Sequence, residues 1–138
     1  MEFSRNIELA RQDEVIGIVH LNCQVNKAAA RIDYKDSIGN SGSFFGSDFF
    51  YIMADLRQTY MSKDIYLLCT AGLINVFPGG LTSESSFGEI AYKFNEITGE
   101  KITVNIFDPI KIENLGLLSN LPDQKKHRRS MIAKLGKR

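Results

Sequence analysis

Apolar and polar residues alternate through much of the chain, and a two-residue period predicts strands. Met1 to Leu9 puts Phe3, Ile7 and Leu9 on one side, and Arg11-Gln12-Asp13-Glu14 follows as a polar connector. Val15 to Cys23 is apolar on both sides, with Val15, Val19, Leu21 and Cys23 against Ile16 and Ile18. That pattern belongs to a central strand covered on both faces. Ala28 to Lys35 alternates cleanly, Ala28, Ala30, Ile32 and Tyr34 facing one way and Ala29, Arg31, Asp33 and Lys35 the other. It predicts a half-exposed antiparallel strand, joined to the preceding one through Asn26-Lys27.

The period then changes. Asp36 to Gly46 carries Gly39, Gly42 and Gly46 among serines and an asparagine, and reads as a loop. Ser47 suits a helix N-cap, with Asp48 in the first turn. Phe49, Met53, Leu56 and Tyr60 recur at helical spacing, with Asp55, Arg57 and Gln58 on the other side. This predicts a helix over Ser47–Met61 whose Phe-rich face needs a sheet beneath it. The most apolar run, Ile65–Pro78, predicts two strands folded back as a central hairpin, turned near Gly72 and stopped by Pro78.

Leu81 to Ser86 is a small-residue loop. Phe87–Glu96 alternates with Ile90, Tyr92 and Phe94 inward, and Lys101–Phe107 has Ile102, Val104 and Ile106 on one face. Residues 110–121 show no clean period, and Pro122 fits the first turn of a last helix running towards Leu135. The sum is an α+β fold: a mainly antiparallel sheet of about six or seven strands, one main helix on a face, and a basic C-terminal helix or tail. Residues 1–121 form the single domain and 122–138 the basic appendage.

Charge adds an asymmetry that the net value of +1 hides. Residues 123–138 hold seven Lys or Arg against one acid, while residues 1–122 hold ten against fifteen. The body is acidic and the tail strongly basic, a contrast that bears on partners. The two cysteines, Cys23 and Cys69, each lie in an apolar run, where a free thiol acts as a small hydrophobe. That usage fits a reducing, cytoplasmic location. Met1 to Glu8 lacks the basic-then-apolar order of a signal peptide, and no apolar run nears the ~18 residues of a membrane span.

Candidate chemistry is sparse. The histidines are His20, inside a strand, and His127, inside a basic run. His20 and Cys23 are three apart, which on a strand sends them to opposite faces and argues against a metal pair. No Gly-x-Ser-x-Gly, dinucleotide fingerprint or phosphate loop occurs. Asp33 with Asp36, or Glu84 with Glu89, could pair for acid–base work only if the fold brought them together, and solvated surface acids are the plainer reading. No enzyme activity, cofactor or metal is expected. The tail, Lys125-Lys126-His127-Arg128-Arg129 with Lys134, Lys137 and Arg138, could neutralise phosphates, but it contains no aromatic residue to stack on bases.

Leu67-Leu68-Cys69-Thr70-Ala71-Gly72 and Asn75-Val76-Phe77-Pro78-Gly79-Gly80-Leu81, followed by Ala91-Tyr92 and Val104-Asn105-Ile106-Phe107-Asp108-Pro109, resemble a pattern in small uncharacterised bacterial proteins. The resemblance covers about residues 65–109, a third of the chain, and implies a shared fold. Thr70-Ala71 departs from the Asn-Gly of that pattern, and the basic tail has no counterpart. In size and in its lack of catalytic groups the chain is also similar to immunity proteins of bacterial toxin–immunity systems, including contact-dependent growth inhibition. That similarity implies a cytoplasmic protein that binds and blocks a cognate toxin domain, such as a nuclease with a basic cleft. The contact residues it suggests are Asp36, Phe44, Phe45 and Asp48, with Glu84, Phe87 and Glu89 as a second patch. The alternative function is a nucleic-acid accessory protein acting through the basic tail.

Overall fold

The computed structural model describes residues 1–79 and 86–136, and of the side chains those up to Lys134. Among the described residues eight strands form two antiparallel sheets rather than the single sheet of six or seven expected. The larger sheet holds β1 (Glu2–Arg11), β2 (Glu14–Asn26), β3 (Ala29–Asp36), β4 (Ser41–Gly46) and β5 (Tyr66–Leu67), in the order β4-β3-β2-β1-β5. The smaller one is β6 (Val76–Phe77), β7 (Ile90–Phe94) and β8 (Lys101–Asn105) in sequence order. Helix α1 (Phe49–Met61) lies on one face of the larger sheet, and α2 (Leu121–Gly136) packs near β6. Among the described residues no helix is long and apolar enough to cross a membrane.

The core is the inner face of the large sheet against α1. Ile7 and Leu9 of β1, Val19, Leu21 and Cys23 of β2, and Ala30 and Ile32 of β3 meet Phe49, Phe50, Ile52, Met53, Leu56 and Tyr60. Among the described residues only this face is packed against a helix. Ile18 points to the open face and is exposed, and Val15, beyond a register shift at Leu9/Ala10 that breaks the alternation, is exposed as well, so β2 is not buried on both sides as its composition predicted. The helix starts one residue later than expected. Asp48, not Ser47, is the N-cap, and its carboxylate accepts the Tyr51 N–H at 3.0 Å.

Two other expectations fail for a shared reason, the reach of distant residues. The glycine-rich stretch after Asp36 is a turn at 37–40 followed by strand β4. A Cβ at Gly42 would sit 3.0 Å from the Tyr34 ring, and one at Gly46 would sit 2.9 Å from Ile52, so the glycines serve close packing. Ile65–Pro78 is not a hairpin. Its ends join different sheets, β5 pairing with β1 and β6 with β7, and Thr70–Gly72 between them is a 3-10 turn. Leu68 N donates to Glu8 O, Thr70 N to Asp108 O and Ile74 N to Leu117 O, so each part of the run answers to a different neighbour. In β7 the fully buried residue is Ala91, while Ile90, Tyr92 and Phe94 are half-buried.

Candidate binding surface

Among the described residues no element covers the face of the large sheet away from α1, and the register sets its side chains in rows. Glu2, Gln24, Arg31 and Phe45 form one row across β1 to β4. Ser4, Asn22, Asp33 and Ser43 form the next, and Asn6, His20, Lys35 and Ser41 a third. Neighbours within and between rows bond each other. His20 Nδ1 lies 2.8 Å from Asn6 Oδ1, and Asp33 Oδ1 accepts from Arg31 Nε at 2.8 Å and from Ser43 Oγ at 2.5 Å. The Ser43 and Arg31 hydrogen bonds hold the Asp33 carboxyl below its ordinary pKa. The Arg31 guanidinium sits 4.9 Å over the Phe45 ring, beside a recess of about 270 Å³ lined also by Gln24, Asn26, Ala29 and Ala30.

Of the residues singled out in the sequence, Phe45 stands on this face, 65% exposed. Phe44 points to the other face, half-buried and stacked on Tyr34 at 5.9 Å. Asp36 is only 8% exposed, and its carboxylate is taken up by the fold. It accepts from Ile38 N, from Asn40 N and Nδ2, and from the buried Tyr60 hydroxyl at 2.5 Å. Burial opposes its ionisation, but these hydrogen bonds prevail and lower its pKa. Burial, together with the same contact, raises that of Tyr60. Asp48, 5% exposed, caps α1 and lies beside Phe87 and Gly88, away from Asp36. Phe87 has a left-handed φ of 53°, is half-buried, and gives its carbonyl to Phe49 N. Glu89 lies 3.8 Å from Arg5 and is half-buried. Glu84 falls outside the described residues.

The fold thus scatters the suggested contacts, leaving Phe45 on the open sheet face. Its row partners Arg31, Gln24 and Glu2, and the neighbouring Asn22 and Ser43, were not singled out, and His20 was weighed only for catalysis and metal binding. The signal available was the clean alternation of Arg31, Asp33 and Lys35. The face is mixed in charge, with Glu2, Glu8 and Asp33 against Arg31 and Lys35, so the acidity of the body is not concentrated there.

A second surface is basic. Lys125, Lys126, Arg129 and Lys134 are exposed on α2, and Arg128 is half-buried. The helix docks through buried hydrogen bonds, and its His127 Nε2 also lies 3.3 Å from Glu96 Oε1. Gln124, fully buried, donates from Nε2 to Ala71 O at 2.9 Å and to Leu73 O at 2.8 Å. Its Oε1 accepts from Arg57 Nη2 at 2.9 Å, and Arg57 Nη1 donates to Ser119 O at 2.6 Å. Arg57 is itself buried and, among the described residues, has no carboxylate within ion-pair distance. Aromatic rings that the tail lacks arrive from elsewhere. Arg128 lies 5.1 Å over Phe77 and Lys125 5.8 Å from Tyr51. Among the described residues no cluster of three His, Cys, Asp or Glu side chains could hold a metal ion. The sequence matches no protein-family model, and no curated protein matches it significantly.

Proposed function

We propose that the chain is a non-enzymatic binding protein, and specifically an immunity protein that neutralises a cognate bacterial toxin domain by occupying its cleft. The observation that carries the reading is the uncovered outer face of the large sheet. A sheet backed by a packed helix is rigid, so side chains on it are held in place before binding. The rows offer Asn, Gln, Ser, His and Arg donors and acceptors around one exposed aromatic, Phe45, with Arg31 stacked on it. Aromatic and Arg anchors within a polar rim are the composition of energetic hot spots at protein interfaces. The toxin-directed part of the reading rests on the similarity to immunity proteins noted from the sequence.

Co-expression with the protein encoded by the neighbouring open reading frame tests it. The expected result is rescue of growth and a stable complex, weakened at least tenfold by Phe45→Ala and Arg31→Ala. No rescue and no complex would refute the immunity reading. A complex indifferent to both substitutions would refute the sheet face as its site.

The basic helix supports a second reading, a nucleic-acid accessory role, because Lys125, Lys126 and Arg129 are exposed on it and the half-buried Tyr51 ring lies 5.8 Å from Lys125, whereas Phe77 beneath Arg128 belongs to the core and is closed to a base. Rings next to cations are what a single strand uses for stacking and phosphate contact. Binding to single-stranded RNA or DNA should then fall steeply with salt and be lost in Arg128→Ala with Lys125→Ala. Binding that survives 0.5 M salt would exclude it.

A further inference from the structure

The edge of the large sheet at β4 is left unguarded. Natural edge strands are usually protected by a charge, a proline, a bulge or shortness. Ser41-Gly42-Ser43-Phe44-Phe45-Gly46 has no charge and no proline, and it pairs with β3 over its full length without a register shift. The other edges are shorter or charged, β5 and β6 having two residues each and β8 beginning with Lys101. Ser41, Gly42 and Ser43 are all exposed, Gly42 included although it stands on the helix side of the sheet.

Which backbone groups face outward follows from the hydrogen bonds. Asp36 N donates to Asn40 O on the β4 side, and Ser37 N donates to Ile18 O on the β2 side. In an antiparallel ladder the direction alternates with each residue. Even-numbered residues of β3 therefore bond to β4, and Gly42, Phe44 and Gly46 face back to β3. The N–H and C=O of Ser41, Ser43 and Phe45 point away from the sheet, and no other described element bonds them.

This edge is complementary to itself. In an antiparallel pair with a two-fold axis through Ser43, Ser43 meets its own copy and Ser41 meets Phe45. This is the one register that pairs all three outward residues. On the helix side it sets Phe44 against Gly42 of the copy, and on the outer side Phe45 against Ser41. Each aromatic thus faces a small residue, and no like charges lie directly opposite across the axis. We propose that two copies of this chain associate edge to edge through β4, joining their five-stranded sheets into one continuous sheet. The proposal goes beyond toxin neutralisation and does not depend on it.

Sedimentation equilibrium of the full chain, from about 1 to 500 μM, tests it. The expected result is a monomer–dimer equilibrium in the micromolar range. Ser43→Lys brings two like charges together on the axis and should weaken association at least tenfold, as should Ser43→Asp. Neither touches a core side chain, and circular dichroism checks that both fold. An equimolar mixture of the two variants should recover the dimer. A wild-type chain that stays monomeric at 500 μM overturns the proposal. So does a dimer indifferent to both substitutions, or a β4 edge whose amides gain exchange protection only when a different protein is added.

Discussion

The contact between Gln124 and Arg57 makes a strong prediction, because so much of the C-terminal half depends on one amide. Gln124→Ala removes the donations from Nε2 to Ala71 O and Leu73 O, a longer one to Val76 O at 3.4 Å, and the acceptor of Arg57 Nη2, in a fully buried site. A buried polar group left without its partner costs about 1–3 kcal/mol, and more when charged. Burial already works against the Arg57 charge, pushing its pKa down, and the guanidinium cannot escape by deprotonating. Allowing for a water entering the space left, the loss should be about 3–5 kcal/mol. That is a large share of the ~5–15 kcal/mol by which a domain is stable. With a urea slope of ~2 kcal/mol per molar, the midpoint should fall by about 2 M. Urea titration followed by circular dichroism reads this directly, and trypsin should cut the variant faster at Lys125, Lys126, Arg128 and Arg129. Arg57→Met with Gln124→Leu should cost less than the two single changes added, since the pair leaves together. A loss below about 1 kcal/mol for Gln124→Ala, or strict additivity in the double variant, would refute the role assigned to this contact.

Three further outcomes follow from single sites. Asp36 has a folded pKa below that of the unfolded chain, so its contribution to stability is present above about pH 4 and lost as pH falls through the folded value. Urea midpoints between pH 2 and pH 6 should show that decline, and Asp36→Asn should flatten it; Asp33, shifted the same way, remains in both proteins. Gly88 has a φ of 78°, and a Cβ there would lie 2.9 Å from Asp48 Cγ and 3.0 Å from Phe50 N. Gly88→Ala should therefore lower stability by about 1–3 kcal/mol in thermal melts, whereas Gly116→Ala, with nothing within 4 Å, should be near neutral. Burial raises Cys23 to about 12, the Arg5 charge lowering it in part, and raises Cys69 to about 11 with Arg57 opposing. Neither thiol should react with a disulfide reagent at pH 8 until the protein unfolds; rapid labelling of the native chain would contradict their burial.

What could be read from the sequence, and what could not, divides by the range of the interactions involved. Alternation is local, so β1, β3 and the inward set Ala30, Ile32 and Tyr34 were legible, as was α1 from its aromatic spacing. The strand β4 was not, because its glycines look like turn residues until Tyr34 and Ile52 are seen to press on them. Arg57 reads as solvent-facing on a helical wheel, yet it is buried because the segment at Ser119 and helix α2 close over that side. Gln124 lies seven residues before the buried Met131, on the same helical face, and that spacing was the one trace of its position. The candidate surface was less legible than the fold. Counting acids gives the charge of the body but not its direction. Asp36 and Asp48 turn inward to a hydroxyl and a helix end, whereas the exposed rows are built from residues three strands apart in space. A docking face of this kind belongs to the register of the sheet, and a register is fixed only when distant strands meet.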